Sequence, residues 1–213
     1  MTESVRTEYL DEIIAAAGDF YRFGWLGAAS GNMSARIDDE TLSITATGTH
    51  LRQLDAEDFV DIDFDGQATD GGDPSGDTAI HLAIYRSLDE VGAVYHIHHL
   101  EAALCSDRDR KRGFTHFQEI QMLAALGDAS TANVPIVDAA YDELSDAIAE
   151  KLSADDELEV PCINVKNHGI YVWGADPSQA RRHVEALAYL FEYSWQRPMN
   201  PKTSSSITGF GKK

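Results

Sequence analysis

Two places in the chain gather side chains suited to chemistry. The first is Tyr95-His96-Ile97-His98-His99, which ends a near-continuous apolar run from Val91. Side chains alternate between faces along a strand. His96 and His98 therefore project together, Ile97 points into the core, and His99 lies on the face opposite the pair. Two imidazoles so placed can reach one ion at about 2.0–2.1 Å. The second place is His168, in a tight Asn167-His168-Gly169 turn between two apolar stretches. Three neutral imidazole nitrogens with one open position are the usual plan of a catalytic zinc site. Iron, manganese or cobalt would also fit such a set. An HxH pair is equally at home as a solvated strand cap, and the turn-borne third histidine tips the balance toward a metal. His81 and His183 fall inside helical patterns and read as structural.

The elements that must position these residues follow from periodicity. Val5, Tyr9, Ile13, Ala16, Ala17 and Phe20 recur at helical spacing over residues 3–23, with Gly24 placed to close the helix. Alternating patterns after the Gly/Ser/Asn loop at 27–34, over 41–48 and over 59–66 predict three short strands. Residues 78–87 read as a helix and 91–99 as the histidine-bearing strand. Helices are expected over 100–105 and over 118–127, the latter closed by Gly127. Residues 134–137 form a short buried strand and 141–152 an amphipathic helix. Two strands follow around the Asn-His-Gly turn. A long last helix begins at Pro177, a residue favoured in a first helical turn. Mixed strands and helices without repeat or linker predict one α/β (α+β) domain over 1–200, with a polar tail over 201–213.

The composition narrows the classes of partner. The chain has 213 residues, 36 acidic and 17 basic, for a formal net charge of -19. So negative a surface disfavours nucleic acid and anionic lipid as partners. It also repels an anionic substrate, so any phosphate must be met by a local device: a divalent cation, a few basic side chains or clustered backbone N–H groups. Cys105 and Cys162 are the two cysteines. They form no close pair, which excludes a disulfide scaffold or zinc ribbon and fits a reducing compartment. An acidic amphipathic start and the lack of a long apolar run predict a cytoplasmic protein without a membrane span.

Five segments, in order, resemble the landmarks of the class II aldolase/adducin family: GWLGAASGNMSAR, ITATG, DPSGDTAIHLAIYR, GAVYHIHH and NHGIYVWG. The resemblance runs from about Tyr9 to Trp195. It implies a mainly antiparallel central sheet flanked by helices, with His96, His98 and His168 as ligands of one zinc ion per subunit. It further implies a phosphate site from Asn32, Thr47, Gly48 and Ser75, where glycine lets N–H groups approach an anion and hydroxyls add donors.

Within the family, THFQEIQM is similar to the segment of the dehydratases that carries a catalytic glutamate, which would be Glu119. The implied activity is hydro-lyase chemistry on a phosphorylated keto-sugar, methylthioribulose 1-phosphate, in methionine salvage. The implied assembly is a homotetramer with sites between subunits. A sugar-phosphate aldolase, a pentulose-phosphate 4-epimerase and a non-enzymatic adducin-like module are the alternatives. Aldolase relatives usually place their acid/base glutamate where this chain has Asp77, one methylene shorter, which weighs against the aldolase. Relatives often carry lysine where Leu51 stands. His50 and Arg52 are the neighbouring candidates to replace that charge.

Overall fold

In the computed structural model, residues 2–28, 30–69, 71–107, 111–115, 131–154 and 158–196 are described. Helix α1 (Thr2–Phe23) buries Leu10, Ile13, Ala17 and Phe20 along one stripe. Gly24, at φ +82°, ends it: its N–H donates to Tyr21 O and that of Trp25 to Phe20 O, each at 3.0 Å. This left-handed closure satisfies carbonyls that the last turn would otherwise leave bare.

The strands β1 (Asn32–Arg36), β2 (Leu42–Thr45) and β3 (Phe59–Ile62) form an antiparallel meander. Then come α2 (Thr78–Ser87), β4 (Ala93–Ile97), α3 (Leu100–Ser106), β5 (Lys111–Thr115) and β6 (Thr131–Val137). The chain continues with α4 (Leu144–Ala154), β7 (Cys162–Val165), β8 (Gly169–Gly174) and α5 (Pro177–Gln196). The sheet runs β3-β2-β1-β4-β8-β7-β6-β5, and only β6 and β7 pair in parallel. The expected mainly antiparallel sheet is thus observed. Strand β5 was not anticipated. Gly113 breaks its pattern and Lys111 and Arg112 make it polar. The helix expected over 118–127, with Glu119 in it, and the tail over 201–213 lie outside the described residues.

Two cores follow from the alternation of side chains. Tyr95 and Ile97 of β4, with Ile170 and Val172 of β8, pack under α1, α3 and α5. Val94, Tyr171 and Trp173 face the other way, under α2 and α4. Burying both faces of the sheet explains why β4 and β8 read as unbroken apolar runs. The register then decides the site. Asn32 of β1 pairs with His96 of β4, and His96 pairs with Tyr171 of β8. These residues form one row across three strands on the face that carries α2.

Candidate active site

The row Asn32–His96–Tyr171 meets the start of α2. Asp77 stands at the N-cap of that helix, where a carboxylate is favoured by the positive helix end. Its Oδ2 accepts from Asn32 Nδ2 at 2.7 Å and from Tyr171 Oη at 3.0 Å. Its Oδ1 accepts from Tyr141 Oη at 2.6 Å. Burial pushes this carboxyl up, but the Tyr141 and Asn32 hydrogen bonds and the His96 and His81 imidazoles outweigh it, leaving the pKa at about 2. The same bond pushes the Tyr141 phenol up to about 12.

One turn along α2, buried His81 continues the contacts. Its Nε2 bonds Asn32 Oδ1 at 2.6 Å, and its Nδ1 lies 2.7 Å from Ser34 Oγ. An amide oxygen only accepts, so His81 carries its proton on Nε2. Ser34 must then donate to Nδ1, and Tyr85, 2.9 Å away, must donate to Ser34. Every donor from Tyr85 through Ser34, His81 and Asn32 therefore points toward Asp77. Burial lowers the His81 pKa to about 4, although Asp77 pulls it up.

The three histidines named from spacing converge. Their ligand-capable nitrogens all lie within 4.8 Å of one another. His96 Nε2 is 3.0 Å from His98 Nε2 and 3.2 Å from His168 Nε2. Tetrahedral zinc with nitrogen ligands at about 2.0–2.1 Å sets its ligand atoms about 3.3–3.4 Å apart, so the spacing fits one ion. The tautomer fits as well. His96 Nδ1 donates to Ile170 O at 3.1 Å, which leaves a lone pair on Nε2 facing the other two rings. Burial, above all, lowers the His96 pKa to about 3 and depresses that of His98. Both rings are thus neutral and able to ligate at pH 7. Tyr171 stacks flat on His96, with centroids 4.0 Å apart and planes 5° apart, and fixes the ring.

Local backbone explains how His168 arrives. Asn167 adopts φ +55°, a left-handed conformation that asparagine tolerates. Gly169 follows because a Cβ there would lie 2.4 Å from Ile97 O. Strand β4 ends at Ile97, two residues sooner than expected, so His98 sits just past the strand. His99, on the far face, is wholly buried and caps α3, its Nδ1 accepting from Ala102 N at 3.3 Å.

A cleft of about 260 Å³ opens beside the histidines. Asn32, Thr47, Gly48 and Ser75 line it together with Asp77, His98, His168 and Tyr141. The structure therefore brings the expected phosphate residues to one cavity with His98 and His168, and buried His96 stands 3.0 Å from His98. It also shows Asn32 largely committed elsewhere, its amide held between Asp77 and His81. Leu51 lines the cleft, whereas His50 and Arg52 do not. His50 faces Ala28 O at 3.4 Å, and the Arg52 guanidinium lies 5.5 Å over the Tyr21 ring. Neither supplies the charge of the lysine that relatives often carry, and no lysine or arginine lines the cleft among the described residues. Tyr141, Tyr171 and the role of His81 were not foreseen. The relevant signal, Asn32 and Tyr171 flanking His96 in the register, exists only once the strands are paired.

The family model of the class II aldolase and adducin N-terminal domain matches residues 11–195. The chain belongs to the class II aldolase and adducin family. Among its relatives, the methylthioribulose-1-phosphate dehydratase of Persephonella marina is 34% identical over 81% of this chain and 82% of that protein. The methylthioribulose-1-phosphate dehydratase of Methylococcus capsulatus is 35% identical over 85% and 90%. Among solved structures, YgbL of Escherichia coli superposes with a TM-score of 0.75 at 26% identity, covering 92% of this chain and 94% of that one. The L-fuculose-1-phosphate aldolase of Thermus thermophilus shares the fold, with a TM-score of 0.70 at 22% identity over 90% and 93%. In this class II aldolase-type domain no described helix is long and apolar enough to cross a membrane.

Proposed function

We propose that the protein is a zinc-dependent hydro-lyase that converts 5-methylthioribulose 1-phosphate to 2,3-diketo-5-methylthiopentyl 1-phosphate and water, a step of methionine salvage. The observation that carries this is a cluster of three convergent imidazole nitrogens beside a cleft that has the hydroxyl and glycine residues Thr47, Gly48 and Ser75 on its walls. The dehydratase name of relatives covering most of the chain supports the choice of substrate.

His96, His98 and His168 hold the metal. A zinc ion bound there would supply Lewis acidity, which would make the C3 proton beside the ketone easier to remove. Thr47 and Ser75 offer hydroxyl donors and Gly48 a backbone N–H to the phosphate. Asn32 contributes chiefly by holding Asp77. Glu119 removes the C3 proton and returns a proton to the C4 hydroxyl. The C4–O bond breaks, water leaves, and the enol tautomerises to the diketone.

Asp77 is a poor candidate for that proton transfer. Three donors occupy it, and its pKa of about 2 leaves it unprotonated at pH 7. This disfavours an aldolase mechanism that uses position 77 as the acid. The protein is taken to act in the cytoplasm as a homotetramer with sites between subunits, and a monomer by light scattering would contradict that assembly.

The decisive experiment assays zinc-loaded protein on methylthioribulose 1-phosphate by appearance of the diketone, with His96→Ala and Glu119→Gln alongside. Turnover lost in both variants supports the assignment. A fully metallated protein that releases no water but cleaves or epimerises a sugar phosphate would replace the hydro-lyase with an aldolase or epimerase.

A further inference from the structure

Tyr141 stands on a short 3-10 turn, Tyr141–Glu143, between β6 and α4. Helices α4 and α2 pack side by side over the same core. That packing delivers the phenol to the mouth of the cleft, where Asp77 begins α2. The residue is 59% exposed, yet its hydroxyl is fixed at 2.6 Å from Asp77 Oδ1. The neighbouring backbone lies close: a Cβ on Gly76 would meet Tyr141 Oη at 3.4 Å, an ordinary contact distance.

A phenol carries one proton. Here it is donated to Asp77 Oδ1, and what remains to face the cleft is a pair of acceptor lone pairs. Asp77 also spans the distance to the metal side, since its other oxygen is 3.9 Å from His96 Nε2. An acceptor is thus held at a fixed offset from the place where a ketone and its adjacent hydroxyl would sit. The group it suits is the next hydroxyl along a phosphorylated keto-sugar.

We propose that Tyr141 seats the C4 hydroxyl of the substrate by accepting its hydrogen bond, with Asp77 fixing the phenol for that purpose. This rests on the dehydratase assignment above. In that reaction C4 carries the departing oxygen. Holding its hydrogen on Tyr141 leaves the oxygen lone pairs free to take up the proton. The shorter Asp77 is matched to this arrangement, because a tyrosine hydroxyl now occupies the space between carboxylate and substrate.

The test compares Tyr141→Phe with the wild type on two ligands of zinc-loaded protein. Methylthioribulose 1-phosphate has the C4 hydroxyl. Dihydroxyacetone phosphate has the phosphate, ketone and adjacent hydroxyl but ends at C3. KM and kcat are measured for the first, and calorimetry gives the dissociation constant of the second. One lost hydrogen bond should lower kcat/KM for methylthioribulose 1-phosphate roughly ten-fold, while dihydroxyacetone phosphate binds within about two-fold of the wild type. Equal weakening toward both ligands would overturn the proposal and make Tyr141 a support for Asp77 alone. No change toward either would overturn it as well. If the wild type dehydrates nothing, calorimetry with methylthioribulose 1-phosphate still reads the Tyr141 contact. Selective weakening in that case would retain the contact while the hydro-lyase assignment falls.

Discussion

Lowering the pH from 7 to 5 should cost the metal-free protein about 2 kcal/mol of folding stability through His81 alone. His81 is wholly buried, and its pKa falls from 6.5 to about 4, mainly through burial. The direction follows from which state binds the proton first. The unfolded chain protonates its histidine near the ordinary value, while the folded protein resists down to about 4. The contribution is therefore fully present above 6.5 and is lost progressively as the pH falls toward 4. At pH 5 the free histidine lies about 1.5 units past its midpoint and the folded one has barely begun to titrate. At 1.36 kcal/mol per unit the difference is about 2 kcal/mol. The cause is local: a proton on Nδ1 would face the hydroxyl donated by Ser34, 2.7 Å away. The assay is urea unfolding at pH 7 and pH 5, with chelator and fixed protein concentration, for wild type and His81→Gln. Other buried histidines titrate in both proteins, so the difference between the two pH drops isolates position 81. The variant should lose about 2 kcal/mol less than the wild type over this interval. Equal drops would refute the directional chain from Tyr85 to Asp77.

Three further outcomes are expected. His96→Ala should be purified without its metal, whereas the wild type should hold about one zinc per chain by elemental analysis; equal zinc content would break the assignment of ligands. Gly169→Ala would push a methyl group to within 2.4 Å of Ile97 O, parting His168 from His98. Chelator competition should then show zinc affinity reduced at least about ten-fold, from second-order displacement of the ligands, and an unchanged affinity would mean the turn does not set the site. Asp77→Asn replaces one acceptor oxygen with an amide donor facing donors from Asn32, Tyr171 or Tyr141. It should destabilise the fold by about 1–3 kcal/mol in chemical denaturation, and a variant as stable as the wild type would show the three bonds to be dispensable.

The one-dimensional patterns that proved informative were those with strong local causes. Helix α2 was legible over its whole length, Thr78–Ser87, because a Gly/Pro/Ser loop gives way there to an apolar periodicity. The three histidines were legible because residue spacing fixes facing on a strand and Asn-His-Gly is turn chemistry. Strand β5 was not, since its pairing with β6 rather than its own residues makes it a strand. Tyr141 is separated from Asp77 by 64 positions, and it was read only as the start of an amphipathic helix. His81 looked like an interior helical residue, which it is. Its hydrogen bond to Asn32 depends on how α2 lies across β1, a packing relation that no window of sequence contains. The departure from relatives at Asp77 was visible in the chain, but its partner Tyr141 was not.

The absence of lysine and arginine from the described walls of the cleft sets an order of events. Before any cation arrives, the one formal charge on those walls is the carboxylate of Asp77, in a chain of net charge -19. A phosphate ester approaching that empty cleft meets repulsion with no fixed positive partner. Once a divalent ion sits on the three imidazoles, the local sign reverses. The ion therefore serves as the admission ticket for the ester as well as its chemistry, and the two ligands should load in sequence, metal first.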